Sequence, residues 1–271
     1  MHFLIKTGRT FYALALIVYG MQQFYFGNFR DVFFSPYQNR LPFLNILAYL
    51  FGLYLVVSGI SIFTAKRAKK AALLLGAVFL ILFLSTQLTY ELISEPNKIY
   101  HLGLWANPLK EVALCGGAFV VAGSFQDDDF AKGIYWFLSR VTPYGNLFFL
   151  FTMTSFGIAH LIYGPYLVNY VPAWWPDHLF WVYFTGVALT GAGVAIMLGI
   201  RIRVVSLLLA LMTFLWFWLV HIRGAVTHPL FNRGDLSASA FDALAFSGIS
   251  LVIACTTQEQ KWISNIENLN S

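Results

Sequence analysis

Four side chains in the second half of the chain, His160, Tyr183, His221 and Asp242, are of types that exchange protons and hold carbonyl oxygens. An imidazole gains and loses a proton near neutral pH, and a carboxylate one helix away can orient the ring or favour its charged form. His160 belongs to "FGIAHLIYGP", residues 156 to 165, a stretch apolar enough to lie in a membrane. The first half contains "YGMQQFYFGN", residues 19 to 28, which matches it glycine for glycine with Gln23 in the histidine's place. By the same correspondence Tyr49, Gln87 and Glu111 stand where Tyr183, His221 and Asp242 do, with the offset drifting from 137 to 131 residues as loop lengths differ. A glutamine bonds a carbonyl but carries no proton. The second half is therefore expected to hold the catalytic groups, His160, His221 and Asp242. Tyr183, Gln23, Tyr49, Gln87 and Glu111 are expected to bind ligand.

Composition defines the elements that must position these residues. The 271-residue chain is 59% hydrophobic and 11% charged, against roughly 25% charged in an ordinary soluble domain, and its mean hydropathy is +0.69. An integral membrane protein follows. Apolar runs long enough to cross about 30 Å of hydrocarbon fall near 10 to 27, 43 to 63, 71 to 90, 108 to 124, 144 to 163, 179 to 198, 202 to 221 and 238 to 256. They predict an all-α membrane fold of eight transmembrane helices. The first run, with Lys6 and Arg9 before it, lacks a small-x-small cleavage pattern and has a counterpart in mid-chain, so it is expected to be retained.

The halves repeat in register. "YLFGLYLVVSGISIF" aligns on "YFTGVALTGAGVAIM" at a constant offset of 134, pairing Gly52 with Gly186, Gly59 with Gly193 and Arg67 with Arg201. The expected organisation is a four-helix unit over 1–124, a linker with an acidic turn and an interfacial helix over 125–142, a second unit over 143–257 and a polar tail over 258–271. An even number of crossings per unit makes the two tandem bundles parallel, unlike the inverted repeats of many transporters.

Basic residues orient the chain. With both termini inside, eleven of the seventeen Lys and Arg fall on inner segments and six, Arg30, Arg40, Lys98, Lys110, Arg223 and Arg233, on outer ones. That bias predicts N-in, C-in. Trp105, Trp174, Trp175 and Trp181 then lie at the outer interface, and Trp136 and Trp262 at the inner one. His160, Tyr183, His221 and Asp242 share one depth near the outer end of their helices, where a four-helix bundle can aim them into a common cavity.

Plainer roles stand beside this one. Polar side chains within a turn of the interface reach headgroups and water at little cost, or join helices as glue. Gly20, Gly52, Gly59, Gly157, Gly186, Gly191 and Gly193 fit close helix contacts, and Trp216 and Trp218 fit packing better than a ring-stacking platform. A b-type haem between His160 and His221, or a metal held by His178, His228 and Asp235, has less support, and no metal is expected. Cys115 and Cys255 form no C-x-x-C or haem-attachment spacing. The formal charge of +5 is spread over short gaps between apolar runs, so no nucleic-acid surface results.

The stretch from "FGIAHLIYGP" through "TGVALTGAGVAIMLGIRIRVV" to "WFWLVH" resembles the DoxX-like (DoxX/DoxD) membrane proteins. Their four-helix unit has a glycine and a polar residue late in the first helix, a proline-containing outer loop, a glycine-rich second helix and a short basic turn. The likeness covers residues 144 to 256 and, through the repeat, 7 to 124. It implies a multi-pass bundle with His160, and Gln23 as its copy, at the late first-helix position. For some relatives it implies a place beside quinones, as in the membrane part of thiosulfate:quinone oxidoreductases. A relative in methylamine utilisation has redox cysteines, which this chain lacks.

The expected function is a redox-linked protein of the bacterial inner membrane holding a quinone or similar flat lipophilic molecule near the outer leaflet. His160 and His221 would bond its carbonyls, Asp242 would set the histidine charge and Tyr183 would close the ring pocket. Electrons would come from a partner protein, and membrane lipids would surround the bundle. The alternative is a non-enzymatic lipid-binding, transport or assembly factor in which the cavity holds an acyl chain or a partner helix.

Overall fold

The computed structural model describes residues 1–34, 43–94, 96–125, 130, 132–227 and 235–256, and among these there is no strand. Eight long helices follow in order: α1 (His2–Phe26), α2 (Leu44–Phe63), α3 (Ala68–Ile93), α4 (Ala106–Gly123), α5 (Gly145–Ile162), α6 (His178–Met197), α7 (Ile202–Thr227) and α8 (Asp235–Thr256). Six described helices are long and apolar enough to cross a membrane: α2, α3, the stretch Ile134–Ile162 that contains α5, α6, α7 and α8. The protein therefore has the character of a multi-pass membrane protein. Helices α1 and α4 fall outside that set; they carry Lys6 and Arg9, and Lys110 and Glu111, within their length.

Local chemistry sets the ends. Gly27 stops α1 in the left-handed conformation at φ 64°, its N–H donating to Gln23 O. The tight turns before α3 and α7 put Arg67 (φ 53°) and Arg201 (φ 43°) in that same conformation, 134 residues apart. Two residues earlier stand Ala65 (φ 57°) and Gly199 (φ 76°). A side chain there strains the backbone by about 1–2 kcal/mol, and only the second half relieves this with glycine. Ala65→Gly is accordingly expected to raise stability by roughly 1 kcal/mol, allowing for glycine's own entropic cost; an unchanged or lower thermal midpoint in detergent would contradict the strain.

A short helix, Ile134–Val141, lies in the expected linker, with Leu138 buried and Ile134 and Phe137 exposed. The aspartates of the acidic turn, His228, Arg40, Arg233 and the tail with Lys261 and Trp262 lie outside the described residues.

Glycines bring the helices together in matched pairs. A Cβ on Gly20 would stand 2.5 Å from Gly52 O, joining α1 to α2, and one on Gly157 would stand 2.6 Å from Gly186 O, joining α5 to α6. Two further pairs cross between the halves. Gly8 in α1 faces Gly248 in α8, and Gly145 in α5 faces Gly116 in α4, each with an added Cβ about one bond too close to the opposite carbonyl. Helix α1 thus packs on α8, α5 packs on α4, and α4 also meets α8. The last helix of each half is central: α8 is 78% buried, against 28–39% for the other five candidate spans.

Both α3 and α7 widen into a π-helical turn, at Phe83–Gln87 and Phe217–His221. Such turns re-aim side chains and recur at functional sites. Here each ends on a residue singled out from the sequence, Gln87 or His221.

Candidate functional site

The polar residues collect at the end of the bundle where α1 and α5 finish. In the second half the close α5–α6 contact seats His160, whose Cβ lies against Gly186. Its Nδ1 is 2.7 Å from Phe156 O; a carbonyl only accepts, so Nδ1 donates and Nε2 remains the acceptor of the neutral ring. The imidazole lies nearly parallel to Trp216 on α7, with ring centroids 6.0 Å apart and an interplanar angle of 15°. Trp216 is therefore a stacking partner, where the sequence favoured plain packing, while Trp218 is 56% exposed. Five residues on, His221 ends the π turn. It is partly buried and makes no hydrogen bond among the described residues. No bond joins the two histidines directly.

Tyr183 and Tyr49 stand at matched places. Each ring lies over the glycine near the end of the preceding helix, Gly164 or Gly27, and remains about 40% exposed. Tyr183 forms an edge of the α5–α6 end rather than a closed ring pocket.

The first half shows what such a bundle can hold. After α1 the chain turns inward, burying Phe29, Val32 and Phe33. The Phe33 ring sits 5.2 Å from Tyr19, 5.3 Å from Phe51 and 5.3 Å from Phe79. Gln87, at the end of its π turn, donates from Nε2 to Asp31 O (2.7 Å) and Val32 O (3.1 Å) of the same segment. The first bundle is thus filled by a flat ring, with two carbonyl oxygens held by the residue that corresponds to His221. In the second half the segment runs elsewhere. Tyr170, matched to Phe33, is 63% exposed and Tyr166 is 76% exposed, while Tyr163 stacks on His101 at 4.8 Å and accepts from Leu102 N at 3.1 Å.

Asp242 departs from expectation. It does not orient a histidine; α8 packs on α1 and α4, so its carboxylate accepts from Tyr19 and pairs with Lys110 Nζ at 3.0 Å, both in the first half. Lys110 also donates to Ser239 Oγ at 3.3 Å. The crossed glycine contacts set α8 on α4 at an offset of 132 residues, which matches Asp242 with Lys110 and leaves Phe156 for Tyr19; the expected match of Asp242 with Glu111 is one residue out of register. Glu111 lies fully buried with both oxygens unpartnered among the described residues, as does the amide of Gln23. Among the described residues no group of three or more His, Cys, Asp or Glu could hold a metal.

Sequence reasoning missed Tyr19, Phe33 and the pairing of Lys110. The signal for Lys110 was its place beside Glu111 within a helical run instead of a loop. Comparison with protein-family models, curated proteins and solved structures finds no match for this chain.

Proposed function

We propose that the chain is a DoxX-like membrane protein of the bacterial inner membrane, with eight spans in two parallel four-helix repeats and both termini inside. Its second repeat binds a quinone, or a similar flat lipophilic molecule with carbonyl oxygens, near the outer leaflet in a redox-linked role. One observation carries the reading: the first repeat encloses its own aromatic ring and holds two carbonyls from Gln87, whereas His221 at the matched place has no acceptor among the described residues. A ligand with a ring and carbonyl oxygens fits that difference.

Each residue has a role in this fit. Trp216 and His160 offer a parallel pair of rings to a flat ligand, and His221 offers an N–H to a carbonyl. These side chains are partly buried, and a hydrogen bond made there is stronger than one in open water. A bound quinone would supply electron and proton carriage, with a partner protein as the electron source.

A mild-detergent preparation is expected to retain a quinone in its lipid extract at near one per chain. A short-chain benzoquinone should quench tryptophan fluorescence, and His221→Ala should weaken that binding about tenfold, the scale of one buried hydrogen bond. Quenching that is equal in wild type and His221→Ala, with only bulk phospholipid in the extract, would replace this reading with the lipid-binding one. That second reading has its own observation: an apolar groove of about 180 Å³ between α1, α7 and α8, lined by Phe11, Leu207, Leu211, Phe214 and Leu251.

A further inference from the structure

Helices α3 and α4 meet as α7 and α8 do. The Cys115 thiol donates to Gly76 O at 3.3 Å, and the Ser247 hydroxyl donates to Ala210 O at 2.9 Å. These contacts are related by offsets of 134 residues between α3 and α7 and 132 between α4 and α8. One turn further on stand Phe119 in α4 and Leu251 in α8. The Phe119 ring is fully buried and lies across Gly76, its Cζ 2.8 Å from where a Cβ on that glycine would stand. In the second half Ala210 supplies that methyl group, and Leu251 has no ring to lay over it. The place that Phe119 takes is therefore left open, among the described residues, as the groove between α1, α7 and α8.

The chemistry of this groove selects hydrocarbon. It measures about 180 Å³ and is apolar apart from Ser247, whose O–H is given to Ala210 O. The rings of Phe11 and Phe214 stack at 5.4 Å at the end nearer the π turn. A polar guest would lose its water there without gaining a partner. Helix α7 is the least buried of the six candidate spans, and Leu208 and Leu211 on this side are exposed, so the groove opens where a membrane protein meets lipid. The stripe of Leu207, Leu211 and Phe214 runs back one turn to Arg203, because residues three and four apart share a helix face. Arg203 is exposed and lies just after the basic turn at Arg201. A guanidinium one turn beyond a hydrocarbon slot suits a phosphate, which it can hold with two parallel bonds.

We propose that the groove between α1, α7 and α8 binds one acyl chain of an anionic phospholipid, with the headgroup phosphate at Arg203. The site begins two turns from His221 along α7 and does not depend on the ring site.

The test gives detergent-purified protein an equimolar mixture of phosphatidylglycerol and phosphatidylcholine with the same acyl chains, washes it, and counts the lipid retained per chain by mass spectrometry. Wild type is expected to keep close to one lipid, with phosphatidylglycerol favoured about fivefold, the scale of one basic residue near an anionic surface. Leu251→Phe with Ala210→Gly transplants the packing of the first half. Its ring should fill the groove and bring retention to background, while the thermal midpoint stays at that of delipidated wild type. Arg203→Gln, at an exposed position, should keep a lipid without preference for either headgroup, and it serves if the double variant does not fold. A folded double variant that retains as much lipid as wild type, or a wild type that retains none, overturns the site. A preference that survives in Arg203→Gln overturns the assignment of an anionic headgroup to this residue.

Discussion

Phe33→Ala is expected to cost about 3–5 kcal/mol, the range for emptying a packed aromatic site, and to be partly rescued by a small flat molecule. Phe33 is fully buried against Tyr19, Phe51 and Phe79. Removing its ring leaves an apolar space that the surrounding helices fill only in part, and such spaces accept ring-sized guests. Thermal unfolding in detergent, with and without the short-chain benzoquinone, measures both effects. A ligand present at a hundred times its dissociation constant would restore about 2.7 kcal/mol. If the variant is as stable as wild type, Phe33 does not fill the first bundle, and the comparison between repeats loses its basis.

Lys110→Ala is expected to lose about 3–5 kcal/mol, because it strands Asp242, 4% exposed in its side chain, without its cation. Lys110→Met with Asp242→Asn removes both charges together and is expected to recover most of that loss, since a buried ion pair exchanged for neutral groups of similar size is often nearly neutral in stability. Unfolding midpoints of the two variants, compared with Asp242→Asn alone, give the coupling. Additive losses would mean that the pair is not formed in the folded protein.

The matched glycines and turn residues were readable from sequence because they are written in backbone geometry. Gly52 with Gly186 and Arg67 with Arg201 hold their offset because close helix contacts and left-handed turns admit few residue types. The expected common depth of His160, His221 and Asp242 rests on helical rise alone, and azimuth was not readable. Each residue turns about 100° around a helix, so the direction of Asp242 depends on which helices pack on α8, and besides α7 those include α1 and α4 of the other half. The inward turn of Phe29 to Phe33 was also hidden, since "NFRDVFF" reads as an interfacial loop until Gln87 is seen to hold its carbonyls. Its aromatic richness was the available signal.

The crossed glycine pairs carry a consequence for how the molecule could arise and how it could differentiate. Contacts of α1 on α8 and of α5 on α4 repeat each other, Gly8 with Gly248 and Gly145 with Gly116. They have the form of the isologous contacts of a C2 homodimer of four-helix subunits, here within one polypeptide. In an unlinked homodimer any residue change appears on both sides of the axis, so a ring that filled one bundle would fill both. Fusion lifts that constraint. Asp242 and Lys110 stand at equivalent places, one beside Tyr19 and the other matched to the Phe156 side, and their ion pair is one that no symmetric assembly of identical chains could hold; Phe33 could likewise be committed to one bundle while the other remained available to a guest.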